Sequence, residues 1–259
     1  MAELTPILTE PRTRQQFLSQ LLAITGDTRL LWLPASTDTT TSTDQSLNAR
    51  TATYDATIAA QLAPLGLGHS VSFDGSTDYA TVPDADGLSF GNGTADSAFS
   101  VIAVVNVTNT AAARAILTKR GSGATVREWE FIVSGGDALQ LFLWDDSVGV
   151  SPVRASDAAI TQGSWIMVGA TYSAATGGAT AANDIVLYQD GLAVASTATN
   201  QATYVAMENL GGVVGLGTRA SVAAIPFQGS MAMVAIVAKA LSASEMWASY
   251  QLNKWFFGI

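Results

Sequence analysis

From His69 onward the chain is written in short runs of Val, Ile, Phe, Trp and Thr, cut by clusters of Gly, Asp and Asn. This punctuation limits the possible folds more than anything else in the sequence. Runs such as "SVSF", "YATV", "EWEFIV", "ALQLFLW" and "DIVLYQ" have strand length and strand composition. Many short strands with turn chemistry between them specify an antiparallel sandwich or jelly roll. "LYQDGLAVAS" is the plainest hairpin, because Asp190-Gly191 supplies the two positive-φ positions of a type I′ turn. A length of 259 residues suits one such domain with a sizeable core.

Both ends differ from this pattern. After Pro11, "TRQQFLSQLLAITG" predicts a short helix, capped by Thr13 with Gln16 and stopped at Gly26. So short a helix is marginal alone and must dock on something. Its apolar stripe of Phe17, Leu18, Leu21 and Leu22 is therefore read as a set of assembly contacts. A strand "RLLWLPA" follows, then a Thr-rich stretch over 36–60 expected to be a loop. A closing helix is expected over 242–256, with Ser242 and Glu245 as its capping box. The division is an N-terminal docking arm over 1–28 and one β domain over 29–259.

Three runs do not alternate. "SVIAVVNV", "SWIMVGA" and "SMAMVAIVA" are apolar or small on both faces, whereas a free sandwich shows polar residues outward. Covered faces are expected, by copies of the chain or by other proteins. Charged residues at only 13% point the same way. A net charge of −9 excludes a basic stripe for nucleic acid. The absence of cysteine excludes disulfides and thiolate chemistry. No apolar stretch is long enough for a helical membrane span, and the charged N-terminus does not read as a secretory signal.

Several short motifs suggest chemistry. Gly87-Leu88-Ser89-Phe90-Gly91 fits a nucleophile elbow, but no helix-forming segment follows it and the single histidine, His69, precedes it. Gly215-Leu216-Gly217 lacks the crossover helix of a dinucleotide loop and reads as a strand. Glu128 and Glu130, at i and i+2 on one strand, would share a face as a glycosidase pair must; an ordinary solvated face is the alternative. Asp84 and Asp86 in "PDADG" are hard oxygen ligands for calcium, though Asp-Gly is also plain turn chemistry. In "LFLWDDSVG", Trp144 could stack on a sugar ring while Asp145 and Asp146 accept its hydroxyls, and a core tryptophan beside solvated aspartates is the alternative. Asp74, Gly75 and Asp78 are expected to be turn residues first.

Six segments in order resemble the laminin-G-like, concanavalin A-like jelly rolls. They are "HSVSFDGSTDYATVPDADGLSF", "SAFSVIAVVNV", "ILTKRGSG", "ITQGSWIMVGATYS", "IVLYQDGLAVAS" and "FQGSMAMVAIVAKALSASEM". The chain departs from that pattern at Val104, at Ile166 and Met167, and at Ala232 and Met233, where large or polar residues are usual. The resemblance implies an all-β, two-sheet antiparallel jelly-roll sandwich with a helix at each end, serving binding and adhesion. No catalysis is expected. Together with the docking arm and the covered strands, it suggests a bacteriophage virion protein, made in the host cytoplasm, that assembles with itself or other virion proteins and adheres to glycan. A carbohydrate-binding lectin module is the second reading and a glycoside hydrolase the third.

Overall fold

The computed structural model describes residues 10–55, 62–108, 111–121, 125–219 and 224–259. Two antiparallel sheets face each other. The eight-stranded sheet holds β1 (Thr28–Trp32), β4 (Leu62–Leu65), β5 (Gly68–Asp74), β7 (Phe99–Val107), β12 (Trp165–Tyr172), β13 (Ile185–Gln189), β14 (Leu192–Ala193) and β17 (Gln228–Val237). Its order is β14-β13-β12-β7-β17-β5-β4, with β1 also pairing with β17. The nine-stranded sheet holds β2 (Thr41–Ser42), β3 (Ala52–Tyr54), β6 (Ala80–Val82), β8 (Arg114–Arg120), β9 (Arg127–Val133), β10 (Ala138–Leu143), β11 (Val153–Ala159), β15 (Ser196–Thr199) and β16 (Val213–Leu216). Its order is β15-β11-β10-β9-β8-β16-β6-β3-β2. Two helices complete the chain, α1 (Arg14–Thr25) and α2 (Ala243–Phe257).

The core between the sheets is aromatic. Phe99 stacks on Phe90 at 4.5 Å and lies 5.7 Å from Trp129 and 6.0 Å from Tyr172. Alternation supplies these side chains: on β9, Trp129, Phe131 and Val133 all point into this core. The hairpin at Asp190-Gly191 has φ of 50° and 75°, the type I′ signature. A side chain at Gly191 would also collide with Trp247 and Tyr250 of α2, so this turn needs glycine twice over.

A second apolar layer lies on the outer face of the eight-stranded sheet. There Ile102 and Val104 of β7, Met167 of β12 and Met233 of β17 meet Phe17 and Phe256. The strands without alternation are thus apolar on both faces because one face packs the sandwich and the other packs helices. Phe17 stacks on Phe256 at 4.1 Å and 17°, and meets Phe257 edge-on at 5.8 Å. At the strand surface Gly169 lets α2 approach, since a Cβ there would stand only 3.2 Å from the Met246 sulfur.

This corrects the expected docking arm. Phe17 and Leu21 are buried in the chain's own structure, and Leu18 and Leu22 pack against the same layer half-buried. The groove that the short helix needed is formed by its own sheet and C-terminal helix. The Thr13 cap is present, but Gln16 accepts from Arg12 N rather than from the cap residue. The closing helix has its full capping box at Ser242 and Glu245. The Thr-rich stretch differs from a plain loop: β2 and β3 lie within it, and buried Asp44 gathers the Leu31, Ser46 and Arg50 amides. Residues 1–9 of the expected arm and 56–60 of the Thr-rich stretch lie outside the described residues. Among the described residues no helix is long and apolar enough to cross a membrane.

Candidate functional site

The outward side of β10 carries Phe142 and then Trp144 just past the strand end, two residues apart and therefore on one face. Their rings are 6.4 Å apart and nearly parallel at 17°, and both are half-buried. The Arg127 guanidinium lies 4.1 Å over the Trp144 ring while its Nε donates to Asp146 at 2.5 Å. Arg120 approaches the same ring at 5.9 Å. Arg120 Nη1 and Arg219 Nη2 then donate to the two oxygens of Glu130 at 2.6 and 2.5 Å. The result is a continuous strip of two aromatic rings, three guanidiniums and two carboxylates. Delocalised, weakly hydrated guanidinium is suited to such stacking and forked pairing.

Local strand irregularity builds this strip. On the β8–β9 ladder Lys119 pairs with Trp129 but Arg120 pairs with Arg127, so Glu128 is an extra residue in a bulge. That bulge overturns the expected shared face of Glu128 and Glu130. Glu130 serves the arginines, whereas Glu128 pairs with Lys119 at 2.7 Å. Both carboxylates have 0% side-chain exposure, and they share no partner. Burial pushes the Glu128 carboxyl above its ordinary range despite the neighbouring Lys119 ammonium.

Lys119 also contacts Asp84 at 2.6 Å and the carbonyls of Leu210 and Gly212 at 3.1 and 2.6 Å. The expected calcium pair is corrected by this arrangement. Asp84 is neutralised by an ammonium, and Asp86 instead accepts from Asn209 at 3.2 Å. Among the described residues no three metal-ligating side chains gather.

The expected ligand trio is divided as well. Trp144 and Asp146 meet around Arg127, but buried Asp145 turns away to accept from Val205 N at 2.9 Å and from the Ser147 hydroxyl. Arg127 covers one face of Trp144, so the ring is neither a bare stacking platform nor part of the core between the sheets. Asp145 belongs to a different set of contacts that holds the segment 200–212. Asp96 accepts from Tyr172, Tyr204 and Met207 N at 2.7 to 2.8 Å, and Glu208 receives the Asp146 and Ser147 amides. Burial raises the Asp96 carboxyl above its usual range although three donors oppose the shift.

The other motifs resolve as turns and strands. Asp74 Oδ1 accepts from the Ser76, Thr77 and Asp78 amides, and Asp74 N donates to the Asp78 carboxylate. Ser89 follows a single 3-10 turn, and Gly215 lies in β16. His69 pairs with Pro64 of the edge strand β4, one strand in from the edge itself.

Sequence reasoning missed Lys119, Arg120, Arg127, Arg219 and Asp96. In a chain with only 12 Lys and Arg, the cluster "TKR" at a strand end was a usable signal, but its partners depend on the bulged register.

No curated protein matches the chain. Among solved structures it is similar to the binding domain of Paraclostridial Mosquitocidal Protein 1, with a TM-score of 0.61 and 13% identity over 90% of this chain and 53% of that one. Domain 4 of AbnA, a GH43 extracellular arabinanase from Geobacillus stearothermophilus in complex with arabinotriose, gives 0.60 and 16% over 87% and 98%. The Botulinum Neurotoxin Type G Receptor Binding Domain gives 0.61 and 11% over 88% and 52%. The chain thus spans about half the length of the two toxin domains, and identities this low speak for the fold alone. A family model described as the Concanavalin A-like lectin/glucanases superfamily matches residues 74–246, which run from the end of β5 into α2. With most of the chain matched and two antiparallel sheets closed over one aromatic core, the protein belongs to the concanavalin A-like lectin/glucanase superfamily.

Proposed function

We propose that the chain is a non-catalytic carbohydrate-binding domain and that its saccharide lies along the Phe142–Trp144 strip. The observation that carries this is the half-open pair of parallel rings flanked by guanidinium donors and a carboxylate. Aromatic faces take the apolar face of a sugar, and the charged groups at their rim exchange hydrogen bonds with its hydroxyls. The same fold in an arabinotriose-bound domain lends support. Against catalysis stands the burial of Glu128 and Glu130, since a carboxylate with no exposed surface cannot reach a glycosidic bond.

The test is binding of the full chain to an array of oligosaccharides, followed by titration of those retained. Trp144→Ala should weaken binding by roughly tenfold or more, the scale of a lost stacking contact, with the β-sheet spectrum unchanged. An array on which nothing is retained, or binding indifferent to both Trp144→Ala and Phe142→Ala, would sink the proposal.

A bacteriophage particle is the setting proposed for this adhesion. Its support is narrower than the sequence suggested, because the helical arm and the apolar strands are satisfied within the chain itself. Detection of the chain by mass spectrometry in purified particles is the check, and its absence from them removes the proposal.

A further inference from the structure

The charge of the strip is unbalanced. At one end Arg120 and Arg219 share the single carboxylate Glu130, whereas at the other Arg127 is answered by Asp146 with Glu208 alongside, so the excess of guanidinium lies at the Arg120–Arg219 end. This excess sits on a protein whose overall net charge is −9 and which has only 12 Lys and Arg in all. The unmet hydrogen-bonding capacity has a sign as well. Two buried polar atoms of the strip lack a partner, Arg219 Nε and Trp144 Nε1, and both are donors. Buried donors are normally matched by acceptors, and planar guanidiniums match carboxylate or sulfate oxygens in a two-pronged manner. Arg120 and Arg219 are 17% and 29% exposed, so their outer edges face solvent while their inner edges hold Glu130.

Resting on the carbohydrate-binding reading above, we infer that the strip selects an anionic saccharide, whose carboxylate or sulfate ester is received by Arg120 and Arg219 while its ring lies against Phe142 and Trp144. The buried Glu130 has a positioning role. It holds both guanidiniums in place but contributes only one of the two negative charges they can accept. The overall negative charge of the protein repels anions at long range, but that field is screened beyond about 8 Å in physiological salt. Direct contacts at the strip therefore decide the preference.

The experiment compares ligands with the same sugar ring and different charge. Trigalacturonate, its full methyl ester and a sulfated galactotriose are titrated into the full chain by calorimetry. Trigalacturonate or the sulfated sugar should bind roughly tenfold or more tightly than the ester, the effect of one charge-assisted contact. Which of the two anions leads assigns carboxylate or sulfate, and either supports the inference. Arg219→Gln should remove most of that preference, lowering affinity for the acid or sulfated sugar far more than for the ester. If Arg219→Gln lowers the melting temperature, the comparison of charged and esterified ligand on the unaltered chain decides alone. Equal affinity for ester and acid, both lost in Trp144→Ala, would overturn the anionic preference and leave the carbohydrate-binding reading standing. Absence of binding by all three ligands, while a neutral oligosaccharide of another class is retained on the array, overturns it too. If the array also retains nothing, both readings fall.

Discussion

Single buried charges organise this molecule more than its low charge content would suggest. Lys119, Glu128 and Glu130 are fully enclosed, and each is met by opposite charge or by carbonyls, the condition under which a buried ion is tolerated. Asp96, like Glu128, has its carboxyl raised by burial. Burial outweighs its three donors and raises its carboxyl, so the folded state holds the proton more tightly than the unfolded chain. Its contribution to stability is then fully present below the unfolded carboxyl value of about 4 and is lost as pH rises through the raised folded value. Asp96→Asn removes this titration. The stability advantage of the unaltered protein over Asp96→Asn should therefore shrink between pH 4 and pH 7, as read from urea midpoints at several pH values. An advantage that grows with pH would show that the donors, not burial, dominate at this carboxylate. The Tyr172 and Tyr204 hydroxyls, both pushed upward by burial and by Asp96 itself, stay protonated throughout this range.

At the scale of elements, the two helices act as a lid on one sheet. Phe17, Leu21 and Ile24 of α1 are buried there, and each apolar side chain so placed is worth about 1.5–3 kcal/mol. Deleting residues 1–26 should cost several kcal/mol and lower the melting temperature by roughly 10 °C or more in a chain of this size. The truncated protein should also self-associate more, because Met233 and Ile102 become exposed. Calorimetry and sedimentation check both. Unchanged melting would return α1 to the role of an arm for a partner. Much of this layout was legible in the sequence. The period-2 runs, the Asp190-Gly191 turn and the Ser242 cap are local signals, and the doubly apolar strands correctly announced a second covered face. What covers that face was not legible, because Phe17 and Phe256 meet across 238 intervening positions and nothing local records the meeting. Of the candidate strip, the sequence singled out Trp144, Asp146 and, in another role, Glu130. Its arginines come from β8, β9 and the turn after β16, and a bulge of one residue decides which of them meet.

For the whole molecule, β17 is the keystone. It pairs with β1, β5 and β7, so the N-terminal strand and two strands from the first half of the chain all wait for a segment that begins at Gln228. Pairings so distant in sequence make folding slow and leave unpaired strand edges in the meantime. Truncation after Leu241 tests the reverse dependence. It keeps every strand but removes α2, and it should yield a chain that aggregates on expression, whereas a soluble β-rich fragment would show that the lid is dispensable. The same geometry bears on how the protein is born. During synthesis, β7 and β12 leave the ribosome before β17 and α2, so their outer face lacks Met233 and Phe256 until residues 228–257 follow. Until then that outer face is a half-roofed, sticky surface, and a chaperone that shields those strands would keep the nascent chain from associating.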